Sequence, residues 1–402
     1  IRGRRSKLGS MHGPMNNESI NGTHPAMLAT QRCNSDVQIP YRFPIDRSIH
    51  CCNREACLKK LDRDIIEVAP FRAGRANSVV ENEKGEGNES HTHEIQQSES
   101  GMLIVDNVYG TIEEDVLRRD FTINALYYDT LKDALIDLVD GKRDLKNHTL
   151  RLIGDPESRY REDPVRMLRA VRFKALLDFK IEDLSAQPIN KLGYLLQDIS
   201  SARLFEELLK LLMTGCAAQI YEQLKHFELF GWLFPDSQRT MAHYPGDELI
   251  KVALESTDRR VSEGLPVTPA FIYAALLWYP FVNEKKRLER EGFSHIEANN
   301  EASNNVLAKQ QLFTSIPRRF SVPMRDIWYL QFRLSNRYGK KAEAILKHKR
   351  FRAAYDFLLL REQAGEKLNN LGEWWTLYQN KNEAERLTMQ KKRKLRKQRS
   401  KP

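Results

Sequence analysis

The sequence predicts an α+β protein, a mixed-sheet head followed by an all-helical neck and body. Two patterns and one bound predict this. Short apolar runs flanked by turn residues fill the first third of the chain, at 64–73, 102–108, 121–128 and 135–139. From residue 163 onward the apolar spacing becomes helical almost throughout. A length of 402 residues with 41% hydrophobic content suits about two to three domains with sizeable cores.

Taken in order, residues 1–63 are rich in Asn, Ser, His and Met and hold neither a period of 2 nor one of 3.6, so they read as an unrelated or disordered segment. His50, Cys51, Cys52 and Cys57 fall there, but no second ligand cluster follows to complete a zinc site. Residues 64–150 form a partial head, with a polar loop at 74–100 and a turn at Asp140-Gly141. A neck is expected over 151–215, a body over 216–385 and a basic tail over 386–402. Helices are expected at 163–177, 204–213, 217–227, 269–279, 324–336, 341–348 and 351–360, and 283–304 reads as a connector or surface helix. Trp278, Trp328, Tyr329, Trp374 and Trp375 fall at positions that suit the core.

Two segments concentrate arginine and carboxylate: 118–129, RRDFTINALYYD, and 161–173, REDPVRMLRAVRF. In the second, Asp163 before Pro164 is a helix start, because aspartate caps free amides and proline suits the first helical position. Leu168, Val171 and Ala175 then share one face, while Arg166, Arg169 and Arg172 follow a neighbouring stripe. A guanidinium fork pairs with phosphate, carboxylate or a base edge. Spacing alone leaves two readings open: an anion-binding stripe, or a solvated face ion-paired to Glu162 and Asp163.

These segments, with SARLFEELLKLL at 201–212, resemble the class II nucleotidyltransferase superfamily of bacterial poly(A) polymerases and tRNA CCA-adding enzymes. GMLIVDNVYGTIEED at 101–115, RDIWYL at 325–330 and FRAAYDFLLLRE at 351–362 resemble the poly(A) polymerase branch. The likeness runs from about residue 64 to about residue 375. It implies a nucleotidyltransferase head and template-independent transfer of AMP from ATP to RNA 3′ ends with Mg2+. CCA addition to tRNA, or a catalytically inert RNA-binding fragment, are the alternatives. The resemblance implies that Asp120 is an active-site carboxylate, with Arg119 beside the ribose and triphosphate and Asn124 holding the same strand edge. It further implies that Asp163 and Arg166 read the base edge and that Arg169 and Arg172 complete the nucleotide pocket. Glu67 would project toward the site from a neighbouring strand, although the exposed face of a half-buried strand accounts for it equally well.

One departure matters. The family's GGxVRD turn and D-x-D metal pair belong upstream of residues 65–69 and are not found there. Asp62-Arg63-Asp64 has the right spelling but directly abuts the strand. The catalytic part of the head is therefore expected to be missing or replaced, with metal ligands incomplete and AMP transfer impaired.

A net charge of +10 points to an anionic partner. Lys391, Lys392, Arg393, Lys394, Arg396, Lys397 and Arg399 concentrate it in the tail, as a sequence-blind RNA contact or a solubilising end. Further basic residues at 317–320, 340–341 and 347–352 are candidates for an RNA track along the body. The longest apolar run, 269–282, falls short of the roughly 20 residues that span a bilayer. Five cysteines make no disulfide framework. A monomeric cytoplasmic protein without a membrane anchor is expected.

Overall fold

The computed structural model describes residues 57–61, 64–68, 71, 96–97, 103–104, 110–241, 244 and 247–389. For the four strands before residue 110 the description covers the backbone alone. These residues divide between two compact units, one drawn from 1–73, 80–112 and 126–136, the other from 74–79, 113–125 and 137–402.

In the first unit, β1 (Cys57–Leu61) pairs antiparallel with β2 (Asp64–Val68), placing Leu58 opposite Glu67. β1 lies inside the segment read as unrelated sequence, so its last residues belong to the head's sheet architecture; a five-residue strand is too short for its period to stand out. β3 (Gln96–Gln97) and β4 (Leu103–Ile104) make a second antiparallel pair. β5 (Leu126–Asp129) and β6 (Ala134–Asp137) form a hairpin. The run at 121–128, which suits a strand or a strand-to-helix passage, begins with a 3-10 turn at Thr122–Asn124 and only then becomes β5. The backbone N–H of Asn124 and of Ala125 donate to Phe121 and Thr122 carbonyls, diverting the chain from extended geometry.

In the second unit, α1 (Ile112–Arg118) runs into that turn, and α2 (Gly141–Lys146) leads to β7 (Thr149–Leu150). Gly154, at φ +84°, turns the chain toward α3 (Pro156–Glu162). Asp155 caps α3 by accepting from the Ser158 amide at 2.9 Å, and Pro156 opens it. A break at Asp163-Pro164 separates α3 from α4 (Val165–Leu177), as the Asp-Pro pair predicts. Val165, Met167, Leu168, Ala170 and Val171 bury one face of α4. Asp178, in the left-handed conformation, ends it, and β8 (Lys180–Ile181) returns parallel to β7.

Helices follow to the end of the described chain. α5 (Asp183–Leu192), α6 (Ser201–Leu212), α7 (Ala217–His226), α8 (Leu229–Leu233), α9 (Pro235–Met241) and α10 (Glu248–Ser262) continue the core begun by α4. The apolar run at 269–282 is two helices, α11 (Pro269–Leu276) and α12 (Trp278–Arg290), joined at Leu277. Residues 283–304 are the end of α12 and most of α13 (His295–Gln311), which starts with a Ser294/Glu297 capping box. Phe281 stacks on Trp328 of α14 (Arg318–Arg333) at 4.5 Å and 8°, and the Trp328 indole donates to the Ala274 carbonyl at 3.0 Å. α15 (Gly339–Leu346), α16 (Phe351–Gln363) and α17 (Leu371–Gln379) close a second cluster around Leu334, Ile345, Phe351 and Trp375. Trp278, Trp328 and Trp375 are fully buried, in line with the core reading. No described helix is long and apolar enough to cross a membrane.

Candidate nucleotide site

The site begins at the turn after α1. Asp115, in the first turn of α1, is wholly buried and pairs with both Arg118 and Arg119. The Arg119 guanidinium also donates to the Asn124 carbonyl, and the Arg119 carbonyl accepts from Arg159 Nη2 at 2.7 Å. Arg119 is thus tied to its own turn and to α3.

Asp120 is 5% exposed. Its Oδ1 accepts from the Phe121 amide at 2.9 Å and from Asn124 Nδ2 at 3.1 Å. Its Oδ2 lies 2.7 Å from Arg169 Nη2 on α4. The Asp120 carbonyl takes the Ile153 amide, and Phe121 bridges Leu152, so the turn is clamped to the chain leading into α3. Thr122 donates to Asp144 at 2.8 Å, and Arg151 pairs with Asp144 and Glu182. Two N–H donors on one oxygen and a guanidinium beside the other fix the orientation of this buried carboxylate.

At the front of α4 the charges are shared. Glu162 accepts from Arg159 at 2.6 Å and from Arg166 at 3.0 Å, so one carboxylate serves two guanidiniums. Arg166 also donates to the Arg159 carbonyl at 2.7 Å, across the α3–α4 break. Asp163 turns the other way and binds Arg203 of α6 at 2.7 Å. Arg172 sits half-buried over the Phe173 ring at 5.0 Å and forms no ion pair among the described residues. Burial pushes its pKa down against the pull of Glu207 and Asp120. Burial and the neighbouring Arg166 likewise lower that of Arg159.

The structure therefore joins Arg119, Asp120, Asn124, Arg169 and Arg166 through a chain of direct contacts running by way of Arg159. Asp163 lies beside them at the helix start but is engaged by Arg203. Of the two readings the spacing left open, internal ion pairing holds for Arg166, through Glu162; Arg169 pairs with Asp120 and Arg172 with neither acid. Sequence reasoning did not single out Asp115, Arg159 or Arg203. The acid precedes Arg119 by one helical turn, a signal that was readable. Arg203 lies 40 residues from Asp163, and no local pattern connects them.

Glu67 has only its backbone described, in β2, so its proposed direction lies outside the described residues. So do Lys391, Lys392, Arg393, Lys394, Arg396, Lys397 and Arg399 of the tail, the 74–100 loop except for Gln96 and Gln97, and His50, Cys51, Cys52, Asp62 and Arg63. Among the described residues no three His, Cys, Asp or Glu side chains converge to hold a magnesium ion; Asp120 Oδ2, 2.7 Å from Arg169 Nη2, is buried without accepting a hydrogen bond.

Comparison with known proteins agrees with this architecture. A Poly A polymerase head domain matches residues 42–151, a probable RNA and SrmB-binding site of polymerase A matches 178–241, and a polymerase A arginine-rich C-terminus matches 291–402. The chain is 44% identical over 323 residues to Poly(A) polymerase I of Salmonella typhi, covering 79% of this chain and 67% of that one. To the CCA-adding enzyme of Ligilactobacillus salivarius it is 44% identical over only 128 residues, 31% of each chain. A solved tRNA-processing enzyme in its apo form shares the fold at a TM-score of 0.50 and 17% identity, over 84% of this chain and 81% of that one. With the α+β head, the helical neck and body, and a relative matched along two thirds of its length, the chain belongs to the bacterial poly(A) polymerase family of the nucleotidyltransferase superfamily, polynucleotide adenylyltransferases by family.

Proposed function

We propose that the chain takes ATP as the donor of AMP to RNA 3′ ends, and that the start of α4 selects it. The observation that carries this reading is the sharing at Glu162. Arg159 and Arg166 together hold two positive charges against one carboxylate, and Arg172 adds a third cation with no ion pair among the described residues. Such a cluster favours a polyanion, because an incoming triphosphate replaces part of the pairing without stranding a buried charge. In this reading Arg119, Arg169 and Arg172 hold the triphosphate and ribose, and Asn124 keeps the Asp120 turn in place. Asp163 and Arg166 offer one acceptor and one donor fork to the base edge. Arg203 orients Asp163 from α6. Asp120 and Glu67 are the proposed active-site carboxylates, and the basic tail from Lys391 to Arg399 is a sequence-blind RNA contact.

Magnesium, which the family resemblance implies, would supply charge neutralisation at the phosphates. No described donor set accommodates it, so the roles above rest on this chain's arginines and carboxylates alone. The GGxVRD turn that the resemblance implies is not found in these 402 residues, and the D-x-D spelling occurs only as Asp62-Arg63-Asp64, directly against the strand, so weak AMP transfer is expected of them.

Purified protein incubated with radiolabelled ATP or CTP, magnesium and an RNA oligomer, alongside equilibrium nucleotide binding, tests the reading. ATP binding preferred over CTP, with slow AMP incorporation, supports it. Preference for CTP moves the chain to the CCA-adding branch, to which the shorter match points. Salt-sensitive RNA binding with neither nucleotide bound makes it an inert RNA scaffold. Robust tail growth overturns the expectation of a missing metal pair.

A further inference from the structure

We propose that the cleft between the end of α14 and the start of α15 is a separate phosphate-binding site for the backbone of single-stranded RNA. It would hold the strand away from the 3′ end where nucleotides are added. The cleft encloses about 340 Å³ and is lined by Arg333, Asn336, Lys340, Lys341, Ala344 and Ile345. That volume falls within the range of small-ligand clefts.

The local fold presents the charge. Ala342 and Ile345 are buried in the second core cluster, which pins α15 by one face and leaves Lys340, Lys341 and Ala344 exposed. Arg333 ends α14 on the opposite wall, also exposed. None of the three cations forms an ion pair among the described residues, whereas nearby Arg352 is paired with Asp356 at 3.0 Å. No acid lines the cleft. Three like charges around one concavity repel each other, and the positive end of the α15 dipole adds to the field, so an anion relieves rather than creates strain.

The lining also decides which anion. It has no aromatic ring to stack a base and no large apolar anchor of the kind that centres protein interfaces. Three cations and an amide suit phosphodiester oxygens and are indifferent to base identity. This inference rests on an RNA substrate, as the family reading does, but not on the role given to α4.

The test uses the full chain with its tail intact and compares wild type with Arg333→Gln/Lys340→Gln/Lys341→Gln. Binding of a fluorescent 20-nucleotide RNA is followed by anisotropy across a salt series. The variant is expected to bind about tenfold more weakly at moderate salt, with a slope of log K against log salt shallower by about 2, since each single-strand phosphate contact contributes about 0.7. Binding of ATP and of a trinucleotide primer is expected to be unchanged. The charge-conserving Arg333→Lys/Lys340→Arg/Lys341→Arg variant is expected to retain wild-type affinity. An unchanged slope and affinity overturns the site, as does equal loss for the trinucleotide. Loss of polyglutamate binding with RNA binding kept assigns the cleft to an acidic protein and also overturns it. Failure of the α4 reading shows instead as lost ATP-over-CTP preference, with this salt slope intact.

Discussion

The neck around α4 and the body around α14 use the same residue types to opposite ends. Around α4, arginine and carboxylate pairs lie along one chain of contacts, and Glu162 and Asp115 each serve two guanidiniums. Around α14, Trp328, Phe281 and Trp278 pack ring on ring, and Arg361 of α16 lies 4.5 Å over Trp278 while pairing with Glu366. An apolar core releases its free energy once, on folding, and has no exchangeable partner. A shared ion-pair network is less efficient for stability, because its desolvation offsets much of the attraction. It can, however, trade a carboxylate for a phosphate. On the reading proposed above, rigidity belongs to the body and nucleotide exchange to the neck.

The sharpest break of that contrast is Trp328→Ala. Removing a fully buried indole that both stacks and donates a hydrogen bond is expected to cost about 3–5 kcal/mol in urea unfolding. A loss below about 1 kcal/mol would show that the body core is not where stability resides. Next comes Asp120→Asn, which removes the charge from Arg169 and loosens the Asn124 turn. AMP incorporation is expected to fall by about a hundredfold or more, with a smaller stability loss than for Trp328→Ala. Equal damage to both would mean that Asp120 is only architectural.

Smaller still, Arg166→Ala is expected to raise the KM for ATP by about tenfold and to erode ATP-over-CTP preference, since a base-edge fork is worth about 1–3 kcal/mol. General RNA affinity is expected to persist, measured on the same preparation. Arg203→Ala, which releases Asp163 without touching Arg166, is expected to shift the ATP/CTP ratio more than the stability. The smallest effect belongs to a body charge. The Arg287 guanidinium, then the Asn305 amide, hold Glu284 down to about 2 from an ordinary 4.5. A depressed carboxylate contributes stability that is complete above the unfolded value and lost as pH falls through the folded one. Thermal stability is therefore expected to fall as pH drops from about 4.5 to about 2, and Glu284→Gln is expected to remove that portion of the dependence.

Much of this was legible in advance. The Asp-Pro break ahead of α4, the helices α6, α7, α11, α14, α15 and α16 and the buried tryptophans follow from local rules of capping, periodicity and size, whereas α8, α9, α10 and α17 were not among the helices expected. The turn at Thr122–Asn124 was not legible, because an apolar run of that length satisfies a strand pattern equally well. The break at Leu277 was hidden for a related reason: residues buried on every side carry no period that marks a joint. In the site, residue identities and their crowding could be read along the chain, whereas partners could not. Arg159 reaches Arg119 across 40 residues, and Arg203 reaches Asp163 across another 40.

Composition and local pattern by themselves determined the class of the protein: an α+β head before a helical neck and body, an arginine stripe behind an Asp-Pro helix start, and a positive balance suited to RNA. Only the tertiary structure decided which acid each arginine holds, that Glu162 is shared and Asp163 is drawn to α6, and that Arg333, Lys340 and Lys341 face one cleft. The physical reason is range. Capping and periodicity act over one or two helical turns, whereas a guanidinium chooses among carboxylates by a distance that folding alone establishes.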